Sequence, residues 1–241
     1  MKTIFTLTTL FLFIFSSTAQ LNNRLNNERL TEVQMFRFLD TKKGKIDLKD
    51  VQGSPYLQEN FVLGKVIDTK NNESFKAPVK YNIFKDQMEI NISESPDKIS
   101  VLNRTRQYEY EIQGKRFIFL KNNFLFENAD NGFVELIGKS GDAMIVKRYW
   151  QKFTPKQAAR SSYQDPTPAR LSTEFDYYIS KDNGLTFEEI DPHKRRILKS
   201  FSGDKKNKIK SYIREKNMKF RGDDREIESQ LQRVIYYYNT L

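Results

Sequence analysis

Between residues 60 and 180 the chain repeats one pattern: short runs in which apolar and polar residues alternate, separated by turn residues. The stretch "APVKYNIFKDQMEINI" (77–92) shows it best. Val79, Tyr81 and Ile83 occupy one set of alternate positions, and Met88, Ile90 and Ile92 do the same after Lys85-Asp86, where the chain reverses. Period-two alternation on both arms predicts a half-buried antiparallel pair. Pro78 falls at the start of the first arm, where a missing N–H does least harm. The runs "NFVLGKVID" (60–68), "DKISVLN" (97–103), "QYEYEI" (107–112), "KRFIFL" (115–120), "FVELIGK" (133–139), "AMIVKRYW" (143–150) and "EFDYYIS" (174–180) extend the series. Gly114, "NADNG" (128–132) and "SGD" (140–142) supply turn chemistry between them. Parallel pairing would require helical crossovers, and no helical pattern intervenes. The expectation is one up-and-down antiparallel sheet, curved or barrel-like. The interval 151–173, with three of the seven prolines, reads as a long Pro-rich loop.

After residue 190 the period becomes helical. "DPHKRRILKSFSG" offers Asp191 as N-cap, Pro192 at the first helical position and Gly203 beyond the end. Ile197, Leu198 and Phe201 form its apolar stripe; a second helix restarts at Asp204 with Ile209, Tyr212 and Ile213 on one face. In the last segment Asp223 and Glu226 resemble a capping box, and Ile227, Leu231, Val234, Ile235 and Tyr238 line one side. The fold class expected is α+β: an antiparallel sheet domain over 20–190, then a basic helical tail over 191–241 packed on the sheet.

The chain opens "MKTIFTLTTLFLFIFSSTAQ". One lysine, an apolar run too short to span a bilayer, and Ser17 and Ala19 at the small positions of a cleavage site predict a signal peptide over 1–19. No later stretch is long and apolar enough for a transmembrane helix. The protein is therefore expected to be exported, to the periplasm or outside the cell. Zero cysteines exclude disulfides, thiol catalysis, zinc–thiolate sites and iron–sulfur clusters, and a lipid anchor on an N-terminal cysteine. The net charge of +10 is local: residues 192–221 hold twelve Lys or Arg against Asp204 and Glu215, so this segment alone accounts for it. Such a segment attracts lipid headgroups, acidic glycans or nucleic acid, and export makes nucleic acid the least accessible of these.

Catalytic readings find little support. His193 is the only histidine, which excludes multi-imidazole metal sites, and it sits in a first helical turn beside three cations. No Gly-x-Ser-x-Gly elbow supplies a nucleophile. Glu109 with Glu111, and Glu188 with Glu189, are the carboxylate pairs available for acid–base work, but a solvated strand face explains the first pair. "GKSGD" (138–142) reads as a hairpin turn and not a phosphate loop. "SKDNG" (180–184) lacks the register of a calcium loop. In "RGD" (221–223), Gly222 and Asp223 read as the turn and N-cap of the last helix. No catalytic, cofactor or metal residue is assigned. Binding candidates are Lys147, Arg148, Tyr149 and Trp150, whose aromatic and cationic groups suit sugar rings or anionic headgroups. Lys205, Lys206 and Lys216 form a candidate anion-attracting face flanking the second helix's stripe.

The elements "GSPYL" with Phe61, Gly64 and Val66 (53–66), "PVKYNIFKDQMEI", the proline-rich interval ending "PAR", "YYIS" and the tail ending "YYN" together resemble a family of uncharacterised exported proteins of Bacteroidetes-type Gram-negative bacteria. The order of parts is also similar, at the level of fold, to periplasmic lipoprotein-carrier half-barrels. The first resemblance implies export and no assigned activity; the second implies a lipid inside a curled sheet. The expected function is a non-catalytic binding or scaffolding module of the cell envelope, with envelope proteins, lipid or anionic glycan as partners. A carrier or sensor of an apolar ligand is the alternative, and a carboxylate-based hydrolase a second one.

Overall fold

The alternating runs pair with one another throughout, and antiparallel ladders join ten strands into one sheet. The computed structural model describes residues 48, 50–91, 99–121, 131–159 and 165–241. The signal peptide read over 1–19, the stretch 20–45, Ile92 and residues 160–164 lie outside the described residues. The strands are β1 (Val62–Asp68), β2 (Glu73–Asn82), β3 (Gln87–Ile90), β4 (Ser100–Val101), β5 (Tyr108–Ile112), β6 (Lys115–Lys121), β7 (Asn131–Ser140), β8 (Ala143–Thr154), β9 (Arg170–Ser180) and β10 (Glu188–Ile190). Their order across the sheet is β10-β9-β8-β7-β6-β5-β1-β2-β3-β4, and the ladder does not close. The edge strands β4 and β10 are the shortest, which limits edge-to-edge association.

One half of the sheet curls. Four strands separate β3 from β7 in the ladder, yet Asp86, at the tip of the β2–β3 turn, accepts a hydrogen bond from the Phe133 N–H of β7 at 3.2 Å. The contact enters a split in the sheet. β7 and β8 pair through Glu135↔Lys147, and among the described residues no further pairing joins them on the Phe133 side of that pair. A strap over residues 52–57 spans the remaining gap. Gln52 donates to the Ala169 carbonyl at 2.8 Å and accepts from Leu171 N–H at 2.8 Å, at the start of β9. Leu57 N–H donates to Tyr81 O at 3.0 Å, at the end of β2. Gly53 makes the close approach possible: its φ is +92°, and a Cβ there would strike the Leu171 carbonyl.

The inner face carries two cores in series. In the curled half, Val79, Tyr81, Met88, Ile90, Tyr110, Phe117, Phe119 and Phe133 are buried together. Beyond Glu135 the same face continues as Ile137, Ile145, Tyr177, Ile179 and Ile190, covered by the C-terminal helices. These are α1 (Lys194–Ile197), continued by a 3₁₀ turn at Leu198–Ser200, then α2 (Gly203–Glu215) and α3 (Asp224–Asn239). They bury Ile197, Leu198, Phe201, Ile209, Ile213, Leu231, Val234 and Ile235, the stripes that helical periodicity predicts. Asp223 caps α3 as expected, its carboxylate accepting from Glu226 N–H at 2.9 Å. Among the described residues no helix is long and apolar enough to cross a membrane.

Two sequence expectations are corrected. β8 and β9 remain paired out to Thr154↔Arg170, so the loop read over 151–173 is too long at both ends: Gln151–Thr154 and Arg170–Thr173 are strand, and Gln157 bridges Thr167 between them. Gln151–Thr154 carries one apolar side chain, Phe153, so this stretch is held as strand by its partner and not by its own alternation. The first helix begins after His193 and not at Pro192. Asp191 does not cap it; its carboxylate faces Arg196 at 3.5 Å and His193 at 3.6 Å.

Candidate functional site

Strand alternation sorts the four β8 candidates onto two faces, and the structure places three of them inside. Lys147 is 1% exposed, too buried to meet an external ligand. Its Nζ donates to Asp224 and Glu228 of α3, both at 2.9 Å. The ring of Phe175 lies 3.7 Å from the ammonium, and those of Tyr149 and Tyr177 lie 5.3 and 5.4 Å away. Tyr149 is buried on the same face and donates to Glu135 at 2.6 Å. Lys115 completes that cluster, at 3.0 Å from Glu135 and 2.9 Å from the Tyr149 hydroxyl. Arg148 points the other way, into the split, and donates to the Phe133 carbonyl at 2.7 Å and to Asp86 at 3.3 Å. Trp150 is the exposed member, 41% accessible, with its indole N–H on Asp176 at 2.8 Å.

This cluster marks the seam where the two cores meet and where α3 docks. A groove of about 440 Å³ opens over it, with Lys115, Arg116, Glu135, Asp224, Arg225 and Glu228 in its lining. The six charges are balanced. Burial raises the phenol pKa of Tyr149, reinforced by Glu135, and that of Tyr177, reinforced by Glu228, so both stay neutral donors. Glu135 is an inward strand carboxylate that sequence periodicity did not single out. Its signal is a lone acid between Phe133 and Ile137 on the apolar set of positions. Glu135, Asp224 and Glu228 are each already bound to an ammonium, which suits holding a helix on a sheet better than proton transfer.

The carboxylate pairs read from the sequence lie elsewhere. Glu109 is bound by Arg116, Glu111 is exposed, and Glu188 meets Lys181 at 3.5 Å. Asp182 of "SKDNG" closes a tight turn. The Thr186 hydroxyl and amide, with the Ser180 hydroxyl and Leu185 amide, hold its carboxyl at about 2. Among the described residues no three His, Asp or Glu side chains gather as metal ligands would.

The lysines of the candidate anion-attracting face are dispersed. Lys205 and Lys216 stand at opposite ends of α2, about 16 Å apart by helical rise. Lys205 lies over the Tyr238 ring at 4.5 Å, Lys206 is half-buried, and Lys216 pairs with Glu215 at 2.8 Å. A different set of cations does converge. A groove of about 760 Å³ lies between the start of α1 and the α2–α3 connection. Lys194, Arg195, Arg196, Lys219 and Arg221 line it with His193, Asn217 and Met218, and among the described residues no acidic side chain lines it. The whole of 192–221 is rich in Lys and Arg, so sequence alone gave no reason to choose these five.

No family model, no curated protein and no solved structure matches the chain.

Proposed function

We propose that the protein is an exported, non-catalytic binding or scaffolding module of the cell envelope. The filled interior of the curled, barrel-like half carries this reading. The rings of Tyr81, Tyr110, Phe117, Phe119 and Phe133 occupy that space, with neighbouring centroids 5.2 to 6.0 Å apart. A carrier of an apolar ligand needs an apolar hollow of roughly 300 Å³ or more. The two grooves described above are instead open to the surface and rich in charged side chains. The ammonium-bound state of Glu135, Asp224 and Glu228 supports a non-catalytic role. The signal-peptide pattern at 1–19 supports export.

The test is mass spectrometry of what the protein retains when purified from native envelope. The expected result is an envelope protein or an anionic envelope component. Recovery of one apolar lipid per chain, held against washing at high salt, would overturn the reading in favour of a carrier.

A further inference from the structure

We propose that the cationic groove between α1 and the α2–α3 connection binds a phosphate-rich anion bearing at least two phosphate groups. The inference rests on the reading of the protein as a binding module, and names the chemistry of what is bound.

Five permanent cations face one concavity. Among the described residues Lys194, Arg195, Lys219 and Arg221 form no ion pair, and Arg196 shares Asp191 at 3.5 Å. The cations at the seam and the split are held differently. Lys115, Lys147 and Arg148 each meet a carboxylate. Like charges gathered in a concavity repel one another, and their summed field draws in anions.

The groove's second wall is fixed in shape. Met218 and Phe220 are buried, and Phe220 N–H donates to the Gln230 side chain at 2.8 Å. Lys219 and Arg221 alternate with these anchors and stay exposed. Asn217 and Phe220 adopt left-handed φ values of 49° and 50°. An aromatic residue rarely takes that conformation, which persists only where the surroundings hold it.

The residue types select phosphate. Three arginines offer planar forks that match phosphate oxygens, and two lysines add point charges. Five cations exceed what one carboxylate or one sulfate monoester can neutralise. Two phosphomonoesters bring a charge of roughly −3 to −4 at neutral pH. A lipid headgroup or a soluble polyphosphate could present them.

The test is calorimetric titration of the full chain with inorganic pyrophosphate at low salt. Two exposed variant pairs carry the same change in charge: Arg195→Ala with Arg221→Ala in the groove, and Lys205→Ala with Lys216→Ala on α2. Circular dichroism checks that both pairs fold. The groove pair is expected to weaken binding about tenfold or more, from lost charge-assisted contacts, and the α2 pair less than about twofold. Equal weakening by both pairs, or no binding by the unmodified chain, would overturn the proposal. Sedimentation with vesicles of phosphatidylcholine, with or without phosphatidic acid, separates the sources. Co-sedimentation that requires phosphatidic acid and is lost in the groove pair assigns the site to lipid phosphate. Pyrophosphate binding without co-sedimentation assigns it to a soluble anion. An envelope partner retained equally by the unmodified chain and the groove pair, with no pyrophosphate binding, would remove this inference and leave the binding-module reading standing.

Discussion

Asp86 sits at a left-handed φ of 53° in the β2–β3 turn, and its buried carboxylate accepts from four donors. These are the Tyr81 hydroxyl at 2.7 Å, Phe133 N–H at 3.2 Å, Arg104 at 2.6 Å and Arg148 at 3.3 Å. Burial alone would lower the Arg148 pKa; the adjacent carboxylate overcomes this and raises it. Asp86→Asn keeps the shape and tolerates the left-handed backbone, but removes the negative charge that faces the buried guanidinium of Arg148. It is expected to cost about 3–5 kcal/mol in urea unfolding. A loss below about 1 kcal/mol would show that the curl holds without this ion cluster. Gly132 belongs to the same unit, because a Cβ there would overlap the Arg148 guanidinium. Gly132→Ala combined with Asp86→Asn should therefore cost less than the two single changes added together. Asp182 acts at the other end of the pH scale. Its folded pKa of about 2 lies below its ordinary value, so its contribution is present above about pH 4 and is lost as pH falls toward 2. Asp182→Asn should remove that acid-side slope, at a cost on the order of 1 kcal/mol near neutrality because the turn lies at the surface.

At the scale of elements, α3 is tied to the sheet through Lys147. The asymmetry of exposure across that contact makes a prediction. The Lys147 side chain is 2% exposed, whereas that of Asp224 is 54% exposed. Lys147→Met leaves Asp224 free to turn toward water and Glu228, 15% exposed, still held by the Tyr177 hydroxyl, and should cost roughly 1–2 kcal/mol. Asp224→Asn with Glu228→Gln strips the buried ammonium of both carboxylates it binds, and should cost about 3–5 kcal/mol. Hydrogen exchange should show α3 opening first in the double variant. The reverse order of costs would mean that apolar packing, not the ion pairs, holds the helix. This contact also shows where sequence reading stopped. Alternation reveals a strand when one set of positions is polar, which is why the opening hairpin was legible even though its Asn82, Gln87 and Glu89 are buried. A lysine in such a run then looks like part of the wet face. Nothing near Lys147 says otherwise, because its partner Glu228 lies 81 residues away. The strap at 52–57 and the strand character of 151–154 escaped for the same reason: their partners, not their own patterns, define them. Helix stripes were legible because each depends only on its own periodicity, and the start of α1 was missed because His193, extended and without a side-chain cap, holds the N-cap position that Asp191 was read to fill.

Over the whole molecule, the two cores share one continuous inner face, and hydrogen-bonded phenols run through it. Tyr81 and Tyr110 are buried in the curled half; Tyr149 and Tyr177 stand at the seam. Burial raises all four phenol pKa values, with Asp86, Glu135 and Glu228 adding to the effect at Tyr81, Tyr149 and Tyr177. At the surface of the curled half, burial and then Glu89 raise Tyr56 to about 12. An unfolded phenol titrates near 10, so these residues keep their protons longer in the folded chain than in the unfolded one. The stability they contribute is complete below about pH 10 and is lost as pH rises past 12. Phenolate absorbance from the buried tyrosines should therefore appear together with loss of circular dichroism, in one transition, because the β7–β8 ladder and Glu135 link the halves. Tyr81→Phe removes one such phenol but strips a donor from Asp86. It should flatten the alkaline limb while lowering stability at neutral pH by roughly 0.5–1.5 kcal/mol. Two separated alkaline transitions, one before the helices release and one after, would mean that the curled half and the helix-covered half unfold independently.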